Sequence, residues 1–370
     1  MTHESLLNAG WLSTLDRLGG AEQLETEARA VGAFRRAREV KCAVDLLRLT
    51  LAYCLGSMGL RLTAAWAEAS GLAILSNVAL LQRLRNMVAW LEVLVARLLT
   101  SSNGGPRVAA ANGRPIRIVD ATVVSNAGRD KSGTGGVWRV HAVFDLPRER
   151  FSAFELTDES EGECLDRAAV VPGEIRVADR AYLQPDRIAR VLDQGADVVI
   201  RAPWNGARWV DAEGNAVNLI DLLKTARGKR KIDRPICING AANQSIPLRL
   251  VAIRKPKEAA EAAIAKVKST AKRKQQKLQP STLVAAEWLI LITSLSSQSF
   301  SADDVADLYR SRWRIEIAFK HLKSDAGPVR PPGEDVAVAK THILCHLLMI
   351  LLTEPLLAEQ LGDSPRPAAA

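Results

Sequence analysis

The sequence predicts an α/β protein whose central sheet follows a helical N-terminal third. Three observations support this fold class. Apolar residues recur at helical spacing up to about residue 108, the middle of the chain alternates β-rich runs with short helical segments, and helical periodicity returns after residue 300. With 370 residues, of which 48% are hydrophobic, the chain can bury a sizeable core, and this composition argues against global disorder.

The N-terminal third carries three predicted helices, over residues 35–55, 61–70 and 76–100. A turn at Gly71 separates the last two, and the second of them carries polar residues suited to DNA: Gln82, Arg83 and Arg85. That arrangement is typical of a helix-turn-helix, and a plain helical bundle fits it equally well. The Ser- and Gly-rich stretch 101–106 predicts a linker to the next part of the chain.

The middle of the chain begins with a β-rich run over residues 116–124 that contains Asp120. Strands disfavour aspartate and a buried charge is costly, so Asp120 is a candidate functional residue. A second aspartate, Asp179, directly follows the predicted strand 175–178, at the strand end where α/β proteins commonly place active-site groups. On its own, Asp179 is equally explained by a turn or by an ion pair with Arg180.

The order of the predicted elements narrows the fold class. Three strands, a helix, a strand, a helix and a strand are predicted over residues 116–124, 138–144, 151–157, 163–170, 175–178, 184–194 and 197–201. This order matches the ribonuclease H-like fold, in which carboxylates from the first and fourth strands meet a glutamate from a late helix.

A helix predicted over residues 301–327 supplies that glutamate. Ser301 is its N-cap, acidic residues occupy its first turn, and a Gly-Pro pair ends it. Polar residues at offsets 0, 3, 7 and 14 lie on one face of it: Tyr309, Arg312, Glu316 and Lys323. A carboxylate among these neighbours suits a metal ligand beside phosphate-binding groups, whereas a solvated helix edge with a Glu316–Lys320 ion pair is the simpler alternative.

Residues 202–300 form a long segment between the second aspartate and the late helix. Short strands are predicted over 208–210, 236–239, 247–254 and 287–293. A helix over 259–277 carries six cations: Lys266, Lys268, Lys272, Arg273, Lys274 and Lys277. A solvated helix face is the default interpretation of this run, and contact with phosphates is the alternative.

Lys and Arg outnumber Asp and Glu by nine, which favours a polyanionic partner such as nucleic acid. The first ten residues lack the pattern of a secretory signal, and the most apolar run, 343–352, is too short to span a bilayer.

Five scattered cysteines without a CxxC predict reduced thiols in the cytosol. His342 and His346 lie four residues apart among apolar residues, which favours a core helix over a metal site.

Three motifs together resemble a known family. The spacing Tyr-x2-Arg-x3-Glu-x6-Lys from Tyr309 to Lys323 resembles the YREK motif of bacterial insertion-sequence transposases of the fourth-numbered family. The segments IVDATVVS around Asp120 and VADRAY around Asp179 resemble the first and second catalytic blocks of that family. WLILITSL, which begins at Trp288, resembles the last strand of its β insertion, so the resemblance spans about residues 35–352.

The resemblance implies a ribonuclease H-like core in two parts, 109–201 and 301–370, with a β-rich insertion over 202–300 and an N-terminal helical DNA-binding domain over 1–108. Asp120, Asp179 and Glu316 would be the catalytic residues and would hold two Mg²⁺ or Mn²⁺ ions. The resemblance also implies DNA contacts. Arg312 and Lys323 would clamp phosphates, Tyr309 would orient the transposon end, Trp288 would stack on a flipped base, and Arg180 would contact DNA.

The implied function is cut-and-paste transposition, in which DNA cleavage, hairpin formation and strand transfer follow one another. The partners would be double-stranded DNA, as terminal inverted repeats and as target, and a second copy of the chain in a synaptic complex. The expected location is the cytoplasm at the nucleoid, without a membrane. Two alternatives stay open: a metal-dependent nuclease without strand transfer, and a DNA-binding derivative of a transposase that is no longer catalytic.

Overall fold

The computed structural model describes residues 11–56, 58–101, 112–125, 137–158, 160–226, 228, 230–240, 244–316, 319, 331–332 and 335–362. Within these residues the strands form one nine-stranded sheet in the order β3-β2-β1-β4-β5-β9-β8-β7-β6. The strands are β1 Ile116–Ser125, β2 Val137–Asp145, β3 Arg150–Asp158, β4 Ile175–Ala178, β5 Asp197–Arg201, β6 Trp209–Val210, β7 Lys231–Asn239, β8 Ser245–Arg254 and β9 Trp288–Thr293.

Strand directions decide which side chains meet at each edge of the sheet. β1, β4 and β5 run parallel to one another, and β9 runs antiparallel to both β5 and β8. Because β9 is antiparallel to both of its neighbours, β8 runs in the same direction as β5. The edge at which β4, β5 and β8 end is called the carboxyl edge below.

The helices cover both faces of this sheet and build the N-terminal third. They are α1 Gly20–Ala30, α2 Ala43–Leu55, α3 Leu60–Ala69, α4 Asn77–Arg85, α5 Val88–Ser101, α6 Pro185–Asp193, α7 Leu219–Thr225, α8 Lys257–Arg273, α9 Pro280–Ala286, α10 Ala302–Arg310 and α11 Val336–Gly362. Residues 11–17 are also helical. One continuous buried core joins the N-terminal helices to β1–β3, α10 and α11.

The late helix α11 packs against helices of the N-terminal third. It packs against α2, α4 and α5, Arg85 pairs with Asp335 at 2.6 Å, and the Thr341 hydroxyl donates to the Leu84 carbonyl at 2.9 Å. The sequence analysis predicted that the apolar run 343–352 is too short to span a bilayer. The helix that contains it, α11, has 27 residues and is long enough and apolar enough to cross a membrane, so that expectation was wrong. Two thirds (67%) of its 18-residue apolar window is buried, as in the core helix of a globular domain.

Most predicted elements are present, and three predicted helices have different limits. The helix predicted over 35–55 begins only at Ala43, because the Glu25 carboxylate accepts the Ala43 N–H at 2.7 Å and fixes that end. The helix predicted over 76–100 is two helices, with Ser76 capping α4 as expected and a break between Arg85 and Val88. The helix predicted over 301–327 is interrupted after Arg310, where the Ser311 hydroxyl donates to the Leu308 carbonyl at 2.6 Å.

The helix predicted over 163–170 is absent, and these residues form turns. The buried guanidinium of Arg176 explains the difference. It donates to the carbonyls of Leu165, Ala168 and Ala169, and a helix over these residues would use the Leu165 carbonyl for its own hydrogen bond. A long-range contact therefore overrides the local helical preference of this segment.

Candidate active site

The register of three parallel strands aligns the two predicted catalytic aspartates. Val119, Ala178 and Ile200 pair across β1, β4 and β5 and belong to the core on one face of the sheet. The residue that follows each of these three points to the other face, and those residues are Asp120 and Arg201 on their strands and Asp179 directly after β4. Adjacent strands lie about 4.8 Å apart, so the three side chains form one row near the carboxyl edge.

The helix α10 and the turn after it cover this row. The capping box predicted at Ser301 is present, since Asp304 N–H donates to Ser301 Oγ and the Asp304 carboxylate accepts the Ser301 N–H at 2.8 Å. Val305, Ala306 and Leu308 are buried and hold α10 against the sheet. This packing delivers Tyr309 and Arg312 to the two aspartates.

Tyr309 and Arg312 each bind one aspartate of the row. The Tyr309 hydroxyl, on a side chain only 8% exposed, donates to Oδ1 of Asp179 at 3.2 Å. One guanidinium nitrogen of Arg312 lies 3.1 Å from Oδ2 of Asp120. The Arg312 guanidinium carbon lies 5.9 Å from the centre of the Tyr309 ring, so the two side chains also support each other.

Glu316 joins the site through the same arginine. A second guanidinium nitrogen of Arg312 pairs with Oε1 of Glu316, one helical turn further along. Arg312 therefore bridges the first and third predicted catalytic carboxylates, while the side chain of Glu316 stays 52% exposed. The sequence placed Arg312 and Glu316 on one face of a continuous helix, and the structure brings them together although that helix is interrupted at Ser311.

Burial governs the electrostatics of the row. It raises the pKa of the Asp120 carboxyl to about 6, against the hydrogen bond from the Ala121 N–H and the charge of Arg312. The charges of Glu163 and Asp179 raise that pKa further. Burial likewise raises the pKa of the Tyr309 phenol, and the charge of Asp179 adds to the shift. The phenol therefore stays a neutral donor, and an ionised Asp120 depends on a nearby cation.

Sequence reasoning missed three residues beside the row. Arg201 lies next to Asp179 in the register and close enough to the Tyr309 phenol to lower its pKa, but as a strand end it carries no motif. Glu163 lies in the segment that the sequence predicts to be a helix, and its charge acts on Asp120 and on the Tyr182 phenol. Tyr182 is 1% exposed, and its hydroxyl has no hydrogen-bond partner among the described residues.

The donor chemistry of this site fits a hard divalent cation. Such ions prefer carboxylate oxygens, and the charges of Glu163 and Asp179 both act on the partly buried Asp120, where an added cation would relieve the repulsion. Across the part of the chain that the structure describes, however, no three His, Cys, Asp or Glu side chains are grouped closely enough to hold a metal ion. In this conformation Arg312 is the cation that faces Asp120 and Glu316.

Three further predicted DNA contacts have different positions. Arg180 is exposed, immediately after Asp179 and at the carboxyl edge. Trp288 opens β9 at the same edge, but it is 3% exposed and packs in the core, so its ring would have to leave the core to stack on a base. Lys323 lies outside the described residues, and its role remains a prediction.

Comparison with known proteins gives consistent matches over this architecture. Residues 111–352 match the family described as Transposase DDE domain. The chain is 37% identical over 365 residues to the putative transposase InsL for insertion sequence element IS186A of Escherichia coli (strain K12), covering 97% of each chain. It is also 37% identical over 366 residues to the transposase for insertion sequence element IS421 of Escherichia coli, again over 97% of each. A more distant match is the transposase for insertion sequence element IS231F of Bacillus thuringiensis subsp. israelensis, at 25% identity over 63% of this chain and 53% of that protein.

Proposed function

The chain belongs to the insertion-sequence transposases that carry a DDE domain, enzymes that cleave and transfer DNA, and from this premise we propose that it moves its element by a cut-and-paste pathway through a hairpin intermediate. We assign Asp120, Asp179 and Glu316 as its catalytic carboxylates. We also assign the set Tyr309, Arg312, Glu316 and Lys323 as the YREK motif of the fourth-numbered insertion-sequence family.

One structural relationship carries this proposal. Asp120 and Asp179 lie side by side in the strand register, and residues from one late helical segment bind both of them. A solvated helix edge, the simpler interpretation of the YREK spacing, would leave Tyr309 and Arg312 facing water. Instead Tyr309 is buried against Asp179, and the Arg312 side chain is 15% exposed between two carboxylates.

The chemistry follows from the charges at the site. When bound, two Mg²⁺ or Mn²⁺ ions would activate the attacking hydroxyl and neutralise the leaving oxygen of an in-line displacement. Asp120, Asp179 and Glu316 would hold these ions through carboxylate oxygens. Tyr309 keeps Asp179 in one orientation through its hydrogen bond. When Asp120 and Glu316 bind metal ions, they would no longer need Arg312 as their counter-ion. The guanidinium of Arg312 would then be free to bind a backbone phosphate through two hydrogen bonds.

The substrates in this proposal are duplex DNA ends and a target duplex. Water cleaves the strand at the transposon end, and the freed 3′-hydroxyl attacks the opposite strand to form the hairpin. Water reopens the hairpin, and the 3′-hydroxyl then attacks the target. We further propose that α4 with its preceding turn contacts the inverted repeats and that two copies act on paired ends. Arg85 is already paired with Asp335, so Gln82 and Arg83 are the freer candidates in that helix.

The test uses purified full-length protein, linear DNA that carries the repeats flanking its element, and Mg²⁺. Gels that separate nicked, hairpin and joined products distinguish the candidate functions. The proposal expects all three in sequence. Nicks without joined product would indicate a nuclease without strand transfer, and binding without any cleavage would indicate a derivative that is no longer catalytic. A joined product that forms without a hairpin would overturn the hairpin step alone.

A further inference from the structure

The helical hairpin between β8 and β9 carries the strongest charge cluster among the described residues. Over residues 266–277 the chain has six cations and no carboxylate, against a net excess of nine for the whole chain. All six are exposed, and no ion pair to a carboxylate involves any of them within the described ranges. The hairpin, residues 255–287, is called the basic arm below.

The basic arm has an apolar side and a charged side. Half-buried small and apolar residues of α8 follow one helical stripe toward α9: Ala260, Ala263, Ile264, Val267 and Ala271. The cations Lys266, Lys268, Lys272 and Arg273 lie on the remaining faces of α8. α8 contains no fully buried residue, so its charged side is presented entirely to solvent.

The base of the arm is fixed rather than loosely tethered. The Lys255 N–H donates to the Glu287 carbonyl at 2.9 Å, and the Lys255 ammonium donates to the Ala286 carbonyl at 2.8 Å. Arg254 pairs with the Glu287 carboxylate at 2.9 Å across the same junction. The return helix α9 packs on α7 and β9. The base of the arm and its return helix therefore hold a defined position relative to the sheet.

The base of the arm lies at the carboxyl edge, near the row formed by Asp120, Asp179 and Arg201. Arg201, Leu291 and Val251 pair across β5, β9 and β8, and β8 continues three residues further before the arm begins. The arm therefore starts about 10 Å beyond the row, and three strand spacings, about 14 Å, separate β8 from β4 and Asp179. α10 covers one face of the sheet at this edge, and the arm leaves from the other.

We propose that the basic arm is a second DNA-binding surface, which grips the phosphate backbone of duplex DNA beside the active site without reading its sequence. This inference rests on the proposed function, because that function puts a duplex at the carboxyl edge. α8 has 17 residues and is about 26 Å long, which matches about eight base pairs at 3.4 Å each. Among the residues that the structure describes, no carboxylate pairs with these exposed Lys and Arg side chains, so duplex phosphates would displace no ion pair there.

A solvated helix end is the simpler explanation of this charge, but it accounts for only two of the six cations. Favourable interaction with the helix dipole extends only over the last turn, where Lys272 and Arg273 lie. Lys266 and Lys268 lie further back, and Lys274 and Lys277 follow the helix. A helix selected only for solubility would mix acidic and basic residues along its length. In α8 the two charges are separated, because both acidic residues, Glu258 and Glu261, lie in its first half, near the sheet.

The experiment compares two double variants of the full-length protein. The arm variant is Lys272→Gln with Arg273→Gln, and the control is Arg208→Gln with Arg234→Gln, which removes the same charge from exposed positions outside the arm. Both replace exposed side chains with glutamine. Circular dichroism and thermal unfolding check that both fold like the parent. Binding is measured by fluorescence anisotropy between 50 and 200 mM salt, on an element-end duplex and on an unrelated duplex of equal length, without divalent metal.

We expect the arm variant to bind both duplexes about tenfold or more weakly at 100 mM salt, with the slope of log affinity against log salt reduced by about two. The control should stay within about twofold of the parent. An unchanged slope and affinity in the arm variant, or an equal loss in the control, would overturn the proposal. If the parent itself binds neither duplex, the proposed function fails, and this inference fails with it.

Discussion

The hydroxyl of Tyr309 donates a hydrogen bond of 3.2 Å to Oδ1 of Asp179, and it joins residues 130 positions apart in the chain. Asp179 directly follows β4, whereas Tyr309 lies near the end of α10, so this contact fixes the late helix over the end of the strand. Tyr309 is buried and Asp179 is half-buried, and a hydrogen bond to a charged group contributes about 1.5–3 kcal/mol. The contact is therefore a direct point at which to test the site.

Replacing Tyr309 with phenylalanine should slow strand cleavage about tenfold, because the ring stays in place while Asp179 loses its donor. Tyr309→Ala should be slower still, since it also removes the ring beside Arg312. The measurement is the initial rate of nicking on a radiolabelled element end. Equal rates for Tyr309→Phe and the parent would show that the hydrogen bond does not orient Asp179 for the reaction.

Changing each proposed catalytic carboxylate to its amide should abolish cleavage and leave metal-free DNA binding intact. Asp120→Asn, Asp179→Asn and Glu316→Gln keep the size of the side chain but provide poor ligands for a hard cation. Asp307→Asn, at an exposed carboxylate on the outer side of α10, is the matched control and should cleave normally. Near-parental cleavage by any one of the three amide variants would remove that residue from the catalytic set.

Arg312→Ala should slow hairpin formation and strand transfer about 10- to 100-fold, more than the first nick, because the later steps reposition DNA beside the carboxylates. Arg312→Lys should recover only part of the rate, since an ammonium cannot grip phosphate in two places. Arg310→Ala, two residues away and paired only on the surface with Asp307, serves as the control. A time course on uncut and precut ends separates the steps. Identical profiles for Arg312→Ala and Arg310→Ala would contradict a role for Arg312 in the site.

His342 should make the protein sensitive to acid. Burial, with a smaller effect of His346, lowers its pKa from about 6.5 to about 4 in α11. A depressed folded-state pKa means that the associated stability is complete above pH 6.5 and is lost as the pH falls towards 4. In His342→Gln, the loss of unfolding free energy between pH 7 and pH 4 should be smaller by about 3 kcal/mol.

Urea unfolding of the parent and of His342→Gln at pH 7, 5.5 and 4 tests this prediction. The quantity compared is the change with pH within each protein, because the substitution also alters packing at every pH. Parallel pH profiles would show that another group, such as the buried His141 with its pKa also near 4, governs the acid sensitivity.

Local patterns in the sequence were enough to locate the two strand aspartates, the N-cap at Ser301 and most strands. Each depends on side-chain periodicity or on capping within a few residues, which a single segment contains in full. The same local information was enough to place Glu316 and Arg312 one helical turn apart. It also gave the family resemblance, which the match of residues 111–352 to the DDE domain supports at the level of the domain.

Only the tertiary structure decided how those pieces meet. Arg176 turns residues 163–170 into a loop, and pairing of Val199 with Thr293 joins segments that are far apart in sequence and so places the basic arm at the carboxyl edge. Arg201 lies beside Asp120 and Asp179 through strand register, and Arg312 reaches Asp120 across a break in its helix. Such features depend on contacts between distant segments, whose energies a local pattern does not contain. The sequence alone therefore determined which residues are candidates for the chemistry, and long-range packing determined which of them touch.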